Sequence, residues 1–186
     1  MTRESPIRRS FFERDVVQVA RTLIGLSFCI DDTGGLIVET EAYRHDDPAS
    51  HSYPGQTLRN RSMFGAPGHA YVYRSYGLHW CFNIVCQKGS GVLIRAIEPK
   101  VGIDKMMQRS QNHNLRILCA GPGRLTQALG ITSEQNGFDV LKSPFGLYGQ
   151  TAAEVVIDKR IGITKAVEQP WRFGLDNSEF VSRKFL

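Results

Sequence analysis

The hydrophobic pattern changes its period within the first third of the chain. Apolar residues at positions 16–24 recur at helical spacing, and Gly25 can end the run, which predicts an amphipathic helix. Two apolar stretches follow, at 26–30 and 36–43, and the segment between them, DDTGG, has the composition of a turn. We therefore expect a helix followed by a β-hairpin.

A long polar segment separates this hairpin from a second one. Residues 44–69 are rich in Pro, Gly, Asp, Ser and His, and we expect an ordered, functional loop. Alternation then predicts a strand ending near Tyr73 and another starting near Leu78, with a turn at 74–77. The other predicted elements are a strand at 92–97 ended by Pro99, helices at 102–109 and 122–129, a turn at 136–137, and strands at 155–158 and 171–175.

This order of elements indicates an α+β fold. Most strands are joined by hairpins and helices are interspersed, which favours a mixed, largely antiparallel sheet over a doubly wound parallel one. A chain of 186 residues is typical of one domain. We expect a single compact domain over 1–186, with a curved sheet, flanking helices and a protruding β-hairpin.

Composition narrows the class of protein. Hydrophobic residues make up 41% and charged residues 22% of the chain, as in soluble folded proteins. The sequence has no long apolar run, and its start, MTRESPIRRS, lacks the apolar core of a secretion signal. We expect a cytoplasmic protein with no membrane contact, associated with the nucleoid if the source is bacterial. The four cysteines form no C-x-x-C pair, which favours free thiols.

The strand at 36–43 carries candidate chemistry. Alternation places Ile37, Glu39, Glu41 and Tyr43 on one face. Glutamate is disfavoured in strands, so two of them beside a tyrosine indicate either a solvated face or a functional one. The residues alone leave both interpretations open.

The second hairpin carries candidate nucleic-acid contacts. Tyr76 falls at its tip, where it either contacts a partner or packs back on the core. Arg59, Arg61 and Arg74 are near it along the chain, and the net charge is +5 with a pI near 9.2. Arginines that contact phosphates around an aromatic wedge are typical of a DNA-binding surface.

Five segments together resemble a known family. VETEAY, ASHS, RNRSMF, PGHAYVYRSYGLHWCFNIV and VLIRAIEP are similar, in order and spacing, to the alkyladenine DNA glycosylases, also called 3-methyladenine DNA glycosylases. The resemblance extends from about Phe11 to Phe173 and is strongest from Val38 to Pro99. It implies a monofunctional hydrolase that turns alkylated purines out of duplex DNA and cleaves the N-glycosidic bond with water, starting base excision repair.

The resemblance also implies catalytic roles. Glu41 would be the general base, with Arg95 and the carbonyl of Ile161 helping to hold the water. Glu39 would be a neighbour without a catalytic role. The matched segments contain no lysine, so no Schiff base is expected and the product would be an intact abasic site.

Further residues would bind the substrate. Tyr76 would fill the gap left in the duplex, and Asn83 would crowd the exocyclic amine of normal guanine. Alkylation of a ring nitrogen makes the purine cationic, and the faces of aromatic rings attract cations, so aromatic side chains suit the base pocket. The residues expected to line the base pocket are Tyr43, His51 and Tyr73, and those expected to contact the DNA backbone are Arg59, Arg61 and Arg74.

The expected partner is double-stranded DNA containing alkylated or deaminated purines, bound by a monomer without cofactor or metal. Two alternatives remain. One is a metal-dependent hydrolase built on His45, Asp46, Asp47 and His51. The other is a non-catalytic module that binds damaged DNA or RNA.

Overall fold

The computed structural model describes residues 7–87, 89–149 and 153–186, so the first six residues of the basic N-terminal stretch lie outside it. The described residues form one sheet of eight strands: β1 (Ser27–Ile30), β2 (Thr33–Tyr43), β3 (Ala70–Ser75), β4 (His79–Val85), β5 (Gly91–Val101), β6 (Phe145–Tyr148), β7 (Val155–Asp158) and β8 (Arg172–Leu175). The helices are α1 (Val16–Leu23), α2 (Ile103–Ser110), α3 (Leu115–Leu118) and α4 (Pro122–Leu129), with 3₁₀ turns at Arg9–Phe11, Arg61–Phe64 and Ser133–Gln135.

The strands pair in the order β3-β4-β5-β2-β1-β6, and β8 joins β2 and β7. Each of these pairs is antiparallel. The predicted α+β fold, a single compact domain with a largely antiparallel curved sheet, is confirmed. β6 and α3 were not predicted, because each has only four residues and a short apolar run fits several structures.

Strand β2 is the centre of the sheet. β5 pairs along one edge of it, while the other edge pairs with β1 near its start and with β8 at residues 39–41. The segment that carries both glutamates is therefore hydrogen-bonded on both sides, which holds their side chains in fixed positions.

Helix α1 confirms the predicted amphipathic helix. The Asp15 side chain caps it by accepting the backbone N–H groups of Val17 (3.0 Å) and Gln18 (3.2 Å). The buried face packs on β2 and β5 and consists of Val16, Val19, Ala20 and Leu23. α2 and α4 complete the same hydrophobic core.

A β-bulge in β2 changes which face of the strand one residue occupies, compared with the prediction. The pairing of β2 with β5 shifts around Val38, and an extra residue reverses the alternation at that point. Ile37 therefore packs in the main core together with Ala42, on the face opposite Glu41. The prediction that Ile37 shares the face of the glutamates is wrong.

Two predicted boundaries are also wrong. The turn at 31–35 is shorter than predicted, because β2 begins at Thr33 and includes both glycines. A Cβ on Gly35 would collide with the Glu98 carbonyl, so close strand packing requires this glycine. β5 continues through Pro99 to Val101. β4 pairs with β5 only at Gly91–Leu93, so Pro99 interrupts no ladder with β4.

All four cysteines are free, as expected. None of the helices within the described ranges is long and apolar enough to span a membrane.

Candidate active site

The two glutamates of β2 point away from α1. The Thr40 hydroxyl, which lies between them, donates to the Ala20 carbonyl of α1 (2.8 Å), so alternation directs Glu39 and Glu41 to the opposite face. Both side chains have 0% of their surface exposed. This excludes the solvated face that the sequence left open, and buried carboxylates require partners.

Glu41 has three partners. Its Oε2 accepts the hydroxyl of Tyr43 (2.8 Å), while its Oε1 accepts the backbone N–H of Ile161 (2.8 Å) and lies 3.4 Å from Nη1 of Arg95. Burial, and next the charge of Glu41, raise the pKa of Tyr43 well above its usual value, so this hydroxyl stays protonated and donates.

Arg95 lies between the two glutamates. Its Nε is 3.3 Å from Oε1 of Glu39, and its Nη1 contacts Glu41. Burial acts to lower the pKa of Arg95, but the two carboxylates outweigh it and raise that pKa above its usual value. The guanidinium is therefore a permanent positive charge shared by both.

Glu39 also contacts Arg172. The Nε of Arg172 donates to Oε1 of Glu39 (2.7 Å). Two carboxylates and two guanidiniums thus form one buried cluster without excess charge, which we call the charged floor: Glu39, Glu41, Arg95 and Arg172.

A cavity of about 540 Å³ opens above this floor. Arg95 and the other partners of Glu41 line the cavity, and Glu41 is buried directly behind them. The cavity is lined by the residues predicted to contact the base, namely Tyr43, His51, Tyr73 and Asn83, and by Ile161, whose carbonyl was expected to help hold the water. Concave sites of roughly 300–1,000 Å³ are typical for small organic ligands.

Aromatic rings form one wall of the cavity. His51 meets Tyr73 edge to face, with ring centroids 4.4 Å apart, and Tyr71 stacks on Tyr73 at 5.4 Å. Burial raises the pKa of Tyr71 to about 12 and also raises that of Tyr73, so both rings stay neutral. Neutral π-faces of this kind attract a cationic base.

His51 belongs to the same wall. Its outer side is exposed, and its Nδ1 lies 3.0 Å from the Tyr71 hydroxyl. Partial burial of the ring, together with the positive charge of Arg59, lowers the pKa of His51. The imidazole is therefore neutral at pH 7 and adds no charge that would repel a cation.

Asn83 lies deeper, with 5% of its surface exposed. Its Nδ2 donates to the carbonyl of Tyr71 across the β3–β4 ladder (3.1 Å). This contact fixes the amide at the wall of the cavity.

A second buried ion pair supports Tyr43. Arg160 donates both Nη atoms to Asp47, and both side chains have 0% exposure. Arg160 also donates to the Ala42 carbonyl (3.0 Å), and its guanidinium lies 4.7 Å from the centre of the Tyr43 ring. One face of Tyr43 is thus covered, and the residue before Ile161 is tied to β2.

The mouth of the cavity is exposed and apolar at the hairpin tip. β3 runs to Ser75, two residues beyond the predicted end near Tyr73, and β4 starts at His79, one residue after the predicted start near Leu78, so the turn comprises residues 76–78. Tyr76 is 85% and Leu78 77% exposed, so Tyr76 does not pack on the core. Its φ of +49° lies in the left-handed region that non-glycine residues rarely adopt.

Of the three arginines predicted to contact the DNA backbone, two lie beside Tyr76 at the cavity. Arg59 and Arg74 line it and are exposed, whereas Arg61 is exposed on the 3₁₀ turn Arg61–Phe64, outside the lining. We call this exposed set the rim: Tyr76, Leu78, Arg59 and Arg74.

The metal site of the alternative hydrolase does not form. Asp46 is paired with Arg44, and Asp47 with Arg160. Within the described ranges, no group of three or more His, Cys, Asp or Glu side chains is arranged to hold a metal ion.

Sequence reasoning missed several residues of the site. Tyr71 could have been found, because it precedes Tyr73 by two positions and alternation places both on one face. Arg160 precedes Ile161 in the segment RIGI, but its pairing with Asp47 joins positions 113 residues apart. Arg172 is 133 residues from Glu39 along the chain, and no local pattern connects them.

Comparisons with known proteins agree with this geometry. A family model described as methylpurine-DNA glycosylase (MPG) matches residues 10–179. A protein of Agrobacterium fabrum is 56% identical over 180 residues, covering 96% of this chain and 93% of the relative. A protein of Rhizobium meliloti is 58% identical over 176 residues, covering 94% and 95%. Both relatives carry the name "Putative 3-methyladenine DNA glycosylase".

Proposed function

The chain belongs to the methylpurine-DNA glycosylase family and is therefore a DNA-repair hydrolase that acts on alkylated bases in DNA. We propose that it excises alkylated purines such as 3-methyladenine with a water activated by Glu41. The observation that carries this proposal is the position of Glu41. Its three partners, Tyr43, Arg95 and Ile161, all line the cavity.

The cavity suits an everted, cationic purine. The base enters between neutral aromatic side chains, where a cation gains roughly 0.5–2 kcal/mol from ring quadrupoles. Only one face of Tyr43 is free, since Arg160 covers the other, and Asp47 balances the charge of Arg160. The base therefore binds between this free face and the Tyr73 wall.

Positive charge on the base also drives the reaction. It makes the purine a good leaving group, so the transition state resembles an oxocarbenium sugar, as in glycoside hydrolysis. The carboxylate of Glu41 stabilises that developing charge and accepts a proton from the attacking water, a contribution of about 10²–10⁴ in rate. Arg95 and Ile161 hold Glu41 in the orientation that this step requires.

The rim assists eversion. Tyr76 fills the space left in the base stack and lowers the cost of unstacking, while Arg59, Arg61 and Arg74 contact phosphates. One chain supplies every group in this scheme, which supports action as a monomer. Neutral deaminated purines would depend on hydrogen bonds from His51 and Asn83 rather than on charge.

The test is incubation with synthetic duplexes that each carry one defined lesion. We expect free base and an intact abasic site from the duplex containing an alkylated purine, and no covalent complex trapped by borohydride. The same duplex with an unmodified purine at that position is the control. No free base and no alkali-labile site from any lesion would refute the proposed excision and would favour a binding module without catalysis.

A further inference from the structure

Glu39 is buried and held by four polar contacts, yet the proposed reaction gives it no step. Besides Arg95 and Arg172, its carboxylate accepts both the backbone N–H (2.5 Å) and the hydroxyl (2.9 Å) of Ser182. A buried carboxylate with this many donors is fixed in position.

The consequence concerns Arg95. Its Nε is held by Glu39 while its Nη1 reaches Glu41, at nearly equal distances of 3.3 Å and 3.4 Å. An arginine released from Glu39 would be free to pair with Glu41 through two parallel hydrogen bonds. Such a pair would compete with Tyr43 and Ile161, which donate to Oε2 and Oε1 of Glu41, and would draw the carboxylate out of the position in which it accepts a proton from water.

Residues of the C-terminal segment also contact the two arginines of the charged floor. The Ser182 hydroxyl also lies 3.4 Å from Nη2 of Arg95, and the Arg183 carbonyl accepts a hydrogen bond from Arg172. The ring of Phe185 covers the Arg172 guanidinium at 3.9 Å. All three residues follow position 179, where the match to the family model ends.

We propose that Glu39, fixed by Arg172 and Ser182, is a positioning residue that holds Arg95 between the two carboxylates and so keeps Glu41 available as the base. This inference rests on the proposed function of Glu41. It assigns the segment after residue 179 a part in catalysis without contact to the substrate.

The main variant is Glu39→Gln, with Glu98→Gln as a control that removes the same charge from the partly exposed pair with Lys100. Base release is measured in single turnover with saturating enzyme, together with affinity for the same duplex and the thermal midpoint. We expect Glu39→Gln to release base about tenfold to about a hundredfold more slowly, the effect of a small misplacement in a catalytic site. Its affinity and the rate of Glu98→Gln should stay at the wild-type level.

Ser182→Ala is the second variant, because loss of Glu39 removes a partner of two buried arginines and can prevent folding. It deletes the hydroxyl contacts to Glu39 and Arg95 and keeps the backbone contact. We expect about three- to tenfold slower release, as for one hydrogen bond.

The inference is overturned if Glu39→Gln folds and releases base at the wild-type rate, or if its affinity for the duplex falls in parallel with its rate. If Glu39→Gln does not fold, a wild-type rate for Ser182→Ala overturns the inference. Glu41→Gln separates this failure from a failure of the proposed function. If it is inactive while Glu39→Gln is normal, only the positioning role is wrong; if it is fully active, the role of Glu41 is wrong.

Discussion

The charged floor beneath the cavity and the rim at its mouth are built in opposite ways: of the floor only Arg95 reaches the cavity lining, whereas the rim residues are exposed. On the floor, every charge has a partner and Glu41 is fully buried. On the rim, Tyr76 and Leu78 are largely exposed, and the tyrosine has a strained backbone. Buried charges held in fixed positions suit catalysis, because they need no reorganisation during the reaction. An exposed ring suits capture of a large partner, so the difference separates chemistry from DNA binding.

The largest expected loss of stability comes from Asp47→Asn, next to the floor. The change leaves Arg160 buried without its counter-charge, and breaking such a pair costs roughly 3–5 kcal/mol. It also releases the segment that presents Ile161 to Glu41. Urea unfolding measures the loss, with Asp46→Asn as the neighbouring control, since Asp46 forms an exposed pair with Arg44. Equal stability of the two variants would show that the buried pair does not support the floor.

Tyr76→Ala should lower affinity for DNA and leave stability unchanged, the reverse of what we expect for Asp47→Asn. Stacking of an aromatic ring on a base contributes roughly 1–3 kcal/mol, so affinity for lesion duplex should fall about tenfold or more, with the thermal midpoint unchanged. The control is Tyr148→Ala, which removes a 41% exposed tyrosine on β6, outside the cavity. A lower midpoint for Tyr76→Ala would place this ring in the folding core and remove the distinction between rim and floor.

Arg74→Ala should weaken binding without regard to the lesion. A phosphate contact contributes to affinity through counterion release, so the slope of log affinity against log salt should decrease by about 1. Lys105→Ala removes the same charge where the lysine pairs with Asp32, and should leave the slope unchanged. If both variants keep the wild-type slope, Arg74 does not contact DNA.

The smallest expected effect is a shift in the pKa of His51. Its pKa lies below 6.5 in the folded protein, because of partial burial and the charge of Arg59. The unfolded chain therefore takes up this proton at higher pH than the folded one, so the associated stability is complete above pH 6.5 and is lost as pH falls through the folded pKa. Arg59→Ala should raise the midpoint in an NMR titration of His51. A midpoint that does not move would show that Arg59 lies too far from the wall to affect it.

The sequence predicted the local features of this molecule better than the distant ones. The α1 pattern, the hairpin with Tyr76 and the strand with Glu41 depend on periodicities within a few residues, and the structure contains all three. The bulge at Val38 was not predictable, because one extra residue leaves no mark in composition. Ser182 is 143 residues from Glu39, so only the folded chain shows that they meet.

Single-turnover base release by Glu41→Gln, measured beside its affinity for the same lesion duplex, tests the central claim most directly. The substitution keeps the size of the side chain and removes the ability to accept a proton, so release should slow by about 10²–10⁴ while affinity stays at the wild-type level. A variant that releases base at the wild-type rate, or loses affinity to the same extent as rate, would contradict the assignment of chemistry to the floor.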